Sequence, residues 1–536
     1  MAGKPQRQRS TNVSMPAPYK GLEANAPIFD SVEGMEKAVS MINIVPRELG
    51  CKVREGSREY ATELVGEDDM PGDVRTIIPF EAHDGSLRLF AATDKGIFDI
   101  TSSGTGPWTP VLEWAIQGND AGWCSFTNFT NVGGNHYLLL CDERNGYHIY
   151  NGETDTWEEG SITGGDPDAT TLVYVMEWQN RIWFVQRDSA TVWYLPIGAI
   201  EGNPTPIELG SRYSKGGYTV QLASWTLDDG AGLDDKLIAM SSAGDVVVFS
   251  GIDPDNASEF IMEGRWYIGR PPKGRRVMAN FGGDVIMLSV FGILSASRLL
   301  AGEKIQDDAY LTDKIARYFR LDMLRLKDFY GWEIKTYPAY GVALVATPPE
   351  EGKRRRQYCL TINTKAWTTW ADLDMLCMND TSAGFFFGTR DGRVLRMEGV
   401  SDYAPVDPET GGAARSIKFS FLTHYDGLGQ PGNWKRVHFI RPSFVGGAPP
   451  IYTVLPDYDF ALDQSASIPP ATEPEIALWD SALWDVDRWA GTVQSYIQTR
   501  GGGGMGRQIA LFMTGETATD MSLIGFDLIV DGGGIL

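Results

Sequence analysis

A repeated pair of short apolar stretches constrains the fold of this chain more than any other sequence feature. Seven times, an apolar stretch of four to six residues is followed by a turn rich in Gly, Asp, Asn or Ser and then by a second apolar stretch. Each pair predicts two antiparallel strands joined by a short loop. The pairs begin at Leu87, His136, Arg181, Lys236, Asp284, Gly341 and Gly384. Successive pairs start about 43 to 57 residues apart, which is the size of a four-stranded propeller blade.

This period predicts an all-β protein with a six- or seven-bladed β-propeller over residues 75–425. The segments "YNGETDTWEE" (Tyr150–Glu159) and "TINTKAWTTW" (Thr361–Trp370) place a strand, an Asn turn and a Trp at matching distances. They resemble Kelch-type blades, in which the Trp packs between neighbouring blades. A stacked array of β-sandwiches is the alternative architecture. The 61 glycines and 29 prolines agree with the many turns that either fold requires.

The segments outside the propeller are expected to form one further β-rich unit. Residues 426–536 predict a C-terminal β-rich domain, and residues 19–74 predict a β segment that packs on it. Residues 1–18 are basic and carry neither an acid nor an apolar core, so they predict a disordered arm and not a signal peptide. Apolar spacing near 3.6 residues predicts a helical insertion over residues 308–326, with Thr312 and Asp313 as its cap.

Composition limits the possible functions. No run of 18 apolar residues occurs, so no membrane span is expected. A net charge of −23 argues against a protein that coats nucleic acid with a basic surface. The same charge fits either a soluble surface or a wall past which nucleic acid slides without sticking. The five cysteines have no zinc-site or disulfide spacing and are expected to be reduced and structural: Cys51, Cys124, Cys141, Cys359 and Cys377.

The segment "RGGGGMGRQ" contains the spacing of a dinucleotide-binding loop, with glycines at 501, 503 and 506. Such a loop needs a strand before it and a helix after it, because the helix N-terminus binds the phosphates. Here "RQIALFMTGE" follows and has the apolar content of a strand. The segment therefore predicts a mobile β-hairpin tip, and we expect no cofactor. Arg500 and Arg507, at its base, are expected to contact a neighbouring subunit or DNA.

A second basic segment, "EEGKRRRQ" (Glu350–Gln357), is expected at the tip of a hairpin. Its cations could contact DNA phosphates or an acidic neighbour, or they could belong to a solvated turn. The four residues are Lys353, Arg354, Arg355 and Arg356.

Acidic segments leave further alternatives open. Asp457–Asp487 contains eight acids and no Lys or Arg, which suits either a channel wall or a solvated loop. "WDSALWDVDRWAG" places three tryptophans beside carboxylates, a combination that could bind or hydrolyse sugars or simply pack. The loops Asp228–Asp235 and Asp253–Glu259 could hold calcium, although turn formation explains them equally well.

The order of several motifs resembles one protein family. They are the opening "YKGLEANAPIFDSVEGMEKAVSMINIVPRELGCKVREGSREYATEL" (Tyr19–Leu64), then "LTDKIARYF" (Leu311–Phe319), "LWDSALWDVDRWAG" (Leu478–Gly491) and the ending Gly506–Leu536. In this order they resemble tail nozzle, or packaged-DNA-stabilisation, proteins of short-tailed bacteriophages. The resemblance touches both ends and the middle of the chain.

The resemblance implies a virion structural protein without catalytic activity, made and assembled in the bacterial host cytoplasm. Such proteins form a homohexameric ring below the portal and adaptor rings, close the tail channel, retain the packaged DNA and conduct it during ejection. The implied partners are the adaptor ring, tail fibre or spike proteins, genomic double-stranded DNA that passes through the channel without sequence-specific binding, and the host envelope at ejection. The competing hypotheses are a propeller that binds or cleaves cell-surface polysaccharide and a cytosolic propeller scaffold.

Overall fold

The computed structural model describes residues 10–25, 34–118, 120–228, 233–256, 258–301, 309–350, 355–405, 413–462 and 494–532. The N-terminal part supplies six short strands. They are β1 (Thr11–Pro16), β2 (Gly21–Leu22), β3 (Lys37–Ile42), β4 (Ile44–Arg47), β5 (Gly50–Val53) and β6 (Ser57–Thr62).

The strands that follow form consecutive antiparallel sheets, each wound in chain order from the innermost strand outward. Blade 1 comprises β7 (Thr76–Glu81), β8 (Leu87–Ala92), β9 (Gly96–Asp99) and β11 (Pro110–Glu113), with β10 (Gly104–Thr105) lying beside β6. Blade 2 comprises β12 (Cys124–Thr130), β13 (His136–Asp142), β14 (Gly146–Asn151) and β15 (Thr156–Glu159). Blade 3 comprises β16 (Leu172–Trp178), β17 (Arg181–Gln186), β18 (Thr191–Tyr194) and β19 (Thr205–Glu208).

Of the next three blades, blades 4 and 6 have four strands and blade 5 has three. Blade 4 comprises β20 (Thr219–Asp228), β21 (Leu233–Ser241), β22 (Asp245–Ser250) and β23 (Ile261–Tyr267). Blade 5 has three strands, β24 (Met278–Phe281), β25 (Asp284–Ser289) and β26 (Gly292–Ser295), and helices α1 (Ala296–Leu300) and α2 (Ala316–Leu326) contact β26. Blade 6 comprises β27 (Glu333–Tyr337), β28 (Val342–Ala346), β29 (Arg356–Thr361) and β30 (Trp367–Ala371).

A strand from the N-terminal part completes the seventh blade. β31 (Cys377–Thr381), β32 (Gly384–Gly388) and β33 (Val394–Met397) pair in order, and β6 pairs with β33 as the outermost strand. The innermost strands contact one another in turn, and β31 contacts β7, so the ring of blades is closed. The fold is therefore an all-β propeller with seven blades. The seven predicted hairpins are confirmed, and each lies within one blade.

The remaining strands form a two-sheet sandwich. They are β34 (Ile417–Thr423), β35 (Lys435–Gly446), β36 (Ile451–Tyr458), β37 (Gln494–Ile497), β38 (Arg500–Gly501), β39 (Ile509–Thr517) and β40 (Met521–Gly532). One sheet has the order β37-β35-β40-β5-β4, with β1 on β40 and β38 on β35. The other contains β3, β34, β39 and β36 and continues through β30 into blade 6. Large apolar side chains of both sheets, among them Phe421, Phe444, Tyr452 and Phe526, are buried in one core.

These pairings place the boundaries differently from the sequence prediction. β34 pairs with β3 and β39 and not with a blade, so the propeller strands end at Met397 and do not extend to residue 425. The segment 19–74 divides between the two units, because β2 to β5 join the sandwich whereas β6 joins the propeller. Within residues 1–18, predicted to be a disordered arm, Thr11–Pro16 forms β1 and pairs with β40, so the prediction is wrong for these residues. The N-terminal part therefore links the sandwich to the closure of the ring.

The predicted helical insertion is present, but its cap is different. α2 begins at Ala316 after a single 3-10 turn over Asp313–Ile315. The Thr312 side chain makes no capping hydrogen bond; its Oγ1 instead accepts from the Ile293 backbone N–H at 3.2 Å. α2 buries Phe319 against the rings of Trp332 and Tyr358, which fixes the insertion to its own propeller. In the described residues no helix is long and apolar enough to cross a membrane.

Buried side chains explain two further sequence features. All five cysteines are free and buried, in agreement with the structural role predicted for them. Burial raises the pKa of the Cys377 thiol to about 12. The Trp157 ring lies 5.3 Å from Phe90 of blade 1 and 5.3 Å from Tyr150 of its own blade, so it packs between two blades as the Kelch-like pattern predicts.

Candidate functional site

The predicted basic cluster at residues 353–356 belongs to the β28–β29 hairpin, and it does not present four cations to solvent. Lys353 and Arg354 fall outside the described residues. Arg355 is buried: its Nε donates to the Thr347 carbonyl at 2.7 Å, and its Nη1 lies 3.5 Å from Asp374 Oδ1. Burial lowers the pKa of Arg355 to about 10. The prediction for Arg355 is wrong, because this guanidinium is used inside the fold and cannot reach DNA or another subunit.

Arg356 is the member of this cluster that the structure describes as exposed. It opens β29, where its backbone lies opposite Ala371 of β30. The nearby Tyr358 hydroxyl donates to Asp322 Oδ2 at 2.6 Å, which ties β29 to α2. Arg356 is therefore an exposed cation at the start of β29, and its side chain interacts with the Tyr358 hydroxyl.

The glycine segment is not the tip of a hairpin. β37 and β38, which precede it, pair with β35, whereas β39, which follows it, pairs with β34 and β36 in the other sheet. The Gly502 N–H donates to the His438 carbonyl at 2.7 Å, and the Gly506 N–H donates to the Lys435 carbonyl at 3.0 Å. The segment thus runs beside β35 as far as Lys435, the residue at which β35 begins, and then crosses to the other sheet. No helix follows it, so the arrangement lacks the helix N-terminus that a dinucleotide phosphate requires.

Close approach of neighbouring atoms explains two of the glycines. A Cβ on Gly502 would lie 2.3 Å from the Val437 carbonyl oxygen, and one on Gly506 would lie 2.7 Å from Tyr458 Cβ. Gly504 has a positive φ of 73°, a conformation that favours glycine. A Cβ on Gly503, in contrast, meets nothing within 4 Å.

These distances predict opposite results for two neighbouring substitutions. We expect Gly502→Ala to lower the free energy of unfolding by about 1–3 kcal/mol, because the new methyl overlaps the backbone of β35. Gly503→Ala serves as the matched control and should change it by no more than about 0.5 kcal/mol. Urea denaturation of the two variants measures the difference. Equal losses in both would mean that the segment does not lie against β35.

The two arginines that flank the glycines occupy different surroundings. The Arg500 guanidinium lies 5.0 Å from the centre of the Tyr452 ring, and its Nη2 donates to Gln498 Oε1 at 3.0 Å. Arg507 is exposed and lies 5.6 Å from the Trp434 ring, while its backbone N–H donates to Asp459 Oδ1 at 2.8 Å. Both are at the surface of the sandwich, on either side of the crossing segment.

The outer side of the sandwich sheet next to Arg500 exposes large apolar side chains. Phe439 is 46% exposed and Ile497 is 63% exposed, and Ile524 lies on the same side. Among the described residues, β37 and β38 pair with β35 alone, and no described strand pairs with their outer edge. We call this surface, defined by Phe439, Ile497, Ile524 and the β37–β38 edge, the open sandwich face. Apolar side chains beside an unpaired edge are typical of a surface that another chain covers.

The axis of the propeller contains a cavity of about 360 Å³ lined by the innermost strands. Arg276, at the entry to blade 5, reaches across its end: Nη1 donates to the Arg75 carbonyl at 2.9 Å, and Nη2 donates to the Cys124 carbonyl at 3.1 Å. Nη1 also lies 3.5 Å from Glu333 Oε2 of blade 6. Four blades therefore meet at one guanidinium, and the axis is too obstructed to pass a nucleic acid duplex.

Arg276 lies in a basic segment that has no distinctive motif in the sequence. Arg276 belongs to "RPPKGRR" (Arg270–Arg276), which carries as many cations as the predicted cluster at 353–356. Its position before an innermost strand is the signal that distinguishes it, because the loops that enter such strands surround the axis of a propeller.

The remaining predicted sites are only partly described. Asp253 and Asp255 of one proposed calcium loop lie 3.0 Å and 3.6 Å from the Arg181 guanidinium, which compensates their charge. The core of the other calcium loop, residues 229–232, lies outside the described residues, as do residues 463–493, with the Trp-Asp segment and most of the acidic stretch. Within the described ranges, no group of three or more His, Cys, Asp or Glu residues could hold a metal ion.

No model of a known protein family matches this chain, and no curated protein matches its sequence. Among solved structures, it is similar to PorZ, an essential bacterial surface component of the type-IX secretion system of Porphyromonas gingivalis. The identity is 10% and the TM-score is 0.33, over 72% of this chain and 44% of PorZ. This chain thus spans less than half of the length of PorZ.

Two further similar structures are smaller propeller-sized chains. BBS1N, in complex with ARL6DN, is 10% identical with a TM-score of 0.39, over 65% of this chain and 99% of BBS1N. Sqt1 of Saccharomyces cerevisiae is 10% identical with a TM-score of 0.37, over 64% of this chain and 99% of Sqt1. At this level of identity the similarities concern the fold alone.

Proposed function

We propose that this chain is a structural component of a bacteriophage tail. It forms a nozzle ring below the portal and adaptor rings, where it closes the DNA channel, retains the packaged genome and conducts it during ejection. The order of motifs along the sequence supports the family, and the open sandwich face supports the assembly. The chain acts without catalysis or cofactor in this proposal.

The observation that carries the proposal is the open sandwich face. Phe439 and Ile497 are exposed beside the β37–β38 edge, with which no described strand pairs. Such a surface promotes association, so it is typical of a chain that assembles with others. In a closed ring, each copy covers this surface with a different surface of its neighbour, which is a heterologous contact. Arg500, beside the same edge, is well placed to add a polar contact at its rim.

The path of the DNA in this proposal is the space enclosed by the ring and not the axis of any propeller. Arg276 obstructs that axis within each subunit. A net charge of −23 per chain would keep a duplex mobile in the enclosed space, because like charges repel. Arg356 and Arg507, which are exposed, supply local cations for DNA phosphates or for partners such as the adaptor ring and the tail fibres or spikes.

Mass measurement of the intact chain tests the assembly. We expect the purified protein to be monomeric alone and to add as six copies to the portal–adaptor complex of the same phage. Native mass spectrometry distinguishes these states, and a portal complex without its adaptor ring is the control. A chain that remains monomeric when the complete portal–adaptor complex is present would contradict the proposal.

A further inference from the structure

One end of the propeller axis opens into a pocket of about 470 Å³, which we call the mouth pocket. Its walls are the loops that enter blades 2, 4, 5 and 6, together with turns of blades 2, 3 and 4. Six cations and four carboxylates line it. The cations are Arg144, Arg187, Arg270, Lys273, Arg275 and Lys327. The pocket therefore has an excess of positive charge in a chain whose net charge is −23.

Two of the four carboxylates are compensated by cations within the pocket. Glu143 accepts two hydrogen bonds from Arg275, at 2.7 Å from Nε and 3.3 Å from Nη2. Asp120 lies 4.0 Å from Lys273 Nζ. The other two carboxylates, Asp188 and Asp328, form no ion pair among the described residues and remain open to a ligand.

Most of the other cations are not paired with carboxylates. Arg187 donates to the backbone carbonyls of Glu143 and Thr170, each at 3.1 Å, and it forms no ion pair with a carboxylate of the described residues. Arg144 and Arg270 are exposed and form no ion pair within the described part of the chain. Guanidinium groups in this state favour a carboxylate or another planar oxyanion.

The wall of the pocket also offers an apolar surface. Tyr218 is partly exposed, and Pro271 and Pro272 lie with it in the lining. Tyr330 does not contribute an open ring face, because it stacks on Trp123 at 5.4 Å and Lys273 Nζ lies 4.2 Å from its centre. A single open aromatic ring beside cations suits a ligand with one flat apolar face.

Size and charge together restrict the class of ligand. A volume near 470 Å³ lies within the range of pockets that hold small organic molecules, so it is larger than a lone inorganic anion needs. A polyphosphate would meet the two uncompensated carboxylates, Asp188 and Asp328, at close range, which disfavours a highly charged anion. Hydroxyl groups, in contrast, can donate to Asp188 and Asp328.

We propose that the mouth pocket binds an acidic saccharide, with a uronic acid carboxylate at Arg144 and Arg270 and hydroxyl groups at Asp188 and Asp328. The apolar face of the sugar packs on Tyr218. This binding site lies on the propeller and goes beyond the proposed role in the tail ring, so either proposal can fail without the other.

Calorimetric titration of the full chain tests the site with three probes. Digalacturonic acid should bind with one site per chain, and digalactose, which lacks the carboxylates, and inorganic phosphate should each bind about tenfold or more weakly. The double variant Arg144→Gln/Arg270→Gln should weaken digalacturonate binding about tenfold or more. Arg317→Gln, an exposed arginine on α2, is the matched control and should leave binding unchanged.

Several results would overturn this assignment. They are the absence of digalacturonate binding, equal binding of phosphate or of digalactose, and an unchanged affinity in the double variant. Circular dichroism of the variants verifies that they are folded. Because both substituted arginines are exposed, we expect no loss of structure.

Discussion

Arg54→Met is expected to lower the free energy of unfolding by about 3–5 kcal/mol, because it leaves a buried carboxylate without its partner. Arg54 is 2% exposed, and its Nη1 and Nη2 donate to the two oxygens of Asp402 at 2.7 Å and 2.6 Å. Its Nε donates to Asn43 Oδ1 at 2.9 Å, and Nη2 lies 3.3 Å from the Ala371 carbonyl. One side chain therefore links the sandwich, blade 6 and the segment that follows blade 7.

Urea denaturation of a double-variant cycle measures this effect. Arg54→Met/Asp402→Leu should recover most of the loss, because it replaces both charges with apolar groups. Lys52→Met is the matched control: Lys52 pairs with Asp520 at 3.0 Å, but both side chains are well exposed, so we expect a loss of no more than about 1 kcal/mol. If Arg54→Met lowered the free energy of unfolding by no more than about 1 kcal/mol, the Arg54–Asp402 pair would not join the sandwich to the propeller.

If the chain forms the proposed tail ring, the double variant Phe439→Asp/Ile497→Asp is expected to abolish its addition to the portal–adaptor complex. Two carboxylates on the open sandwich face would have to be buried without partners in the ring, and such burial costs several kcal/mol at each contact. Stability of the single chain should change little, because both side chains are exposed before assembly. Native mass spectrometry with the portal–adaptor complex measures the number of copies bound.

A control variant separates this effect from a general increase in negative charge. Ile252→Asp introduces the same group at a residue that is 66% exposed in the loop between β22 and β23 of blade 4. This variant should still form the ring. Normal assembly of the Phe439→Asp/Ile497→Asp variant would mean that the subunits meet through another surface.

The part of the fold that the sequence predicts is the middle of each blade. Strands such as β17 and β22 are buried on both faces, so they appear as continuous apolar runs around a short turn. The innermost and outermost strands are harder to recognise. β23 alternates between exposed and half-buried residues, and β12 ("CSFTNFT") consists largely of polar residues, so neither forms a long apolar run.

The closure of the ring could not be predicted from local pattern. β6 pairs with β33 across more than 300 residues of sequence, and nothing in "SREYAT" itself specifies its partner. The prediction of a hairpin tip at the glycine segment is wrong for the same reason, since local sequence does not specify which strands pair. Its neighbours β37 and β39 both look like hairpin strands, but their pairing partners are set by tertiary contacts in two different sheets.

In the candidate sites, too, some features follow from the local sequence and others depend on tertiary contacts. Arg356 and Arg507 are exposed, as their positions in basic, turn-rich segments predict. The burial of Arg355, in contrast, depends on its contact with Asp374, which lies in the connection between blades 6 and 7. The mouth pocket is assembled from loops of five blades, so no single segment carries its signature.

Electron cryomicroscopy of intact virions that contain this chain tests the proposed tail-nozzle role most directly. The proposal predicts six copies in a ring below the adaptor, with the open sandwich face covered by a neighbouring subunit and the DNA path through the ring and not through a propeller. A virion tail whose density below the adaptor contains no seven-bladed propeller joined to a sandwich would contradict it.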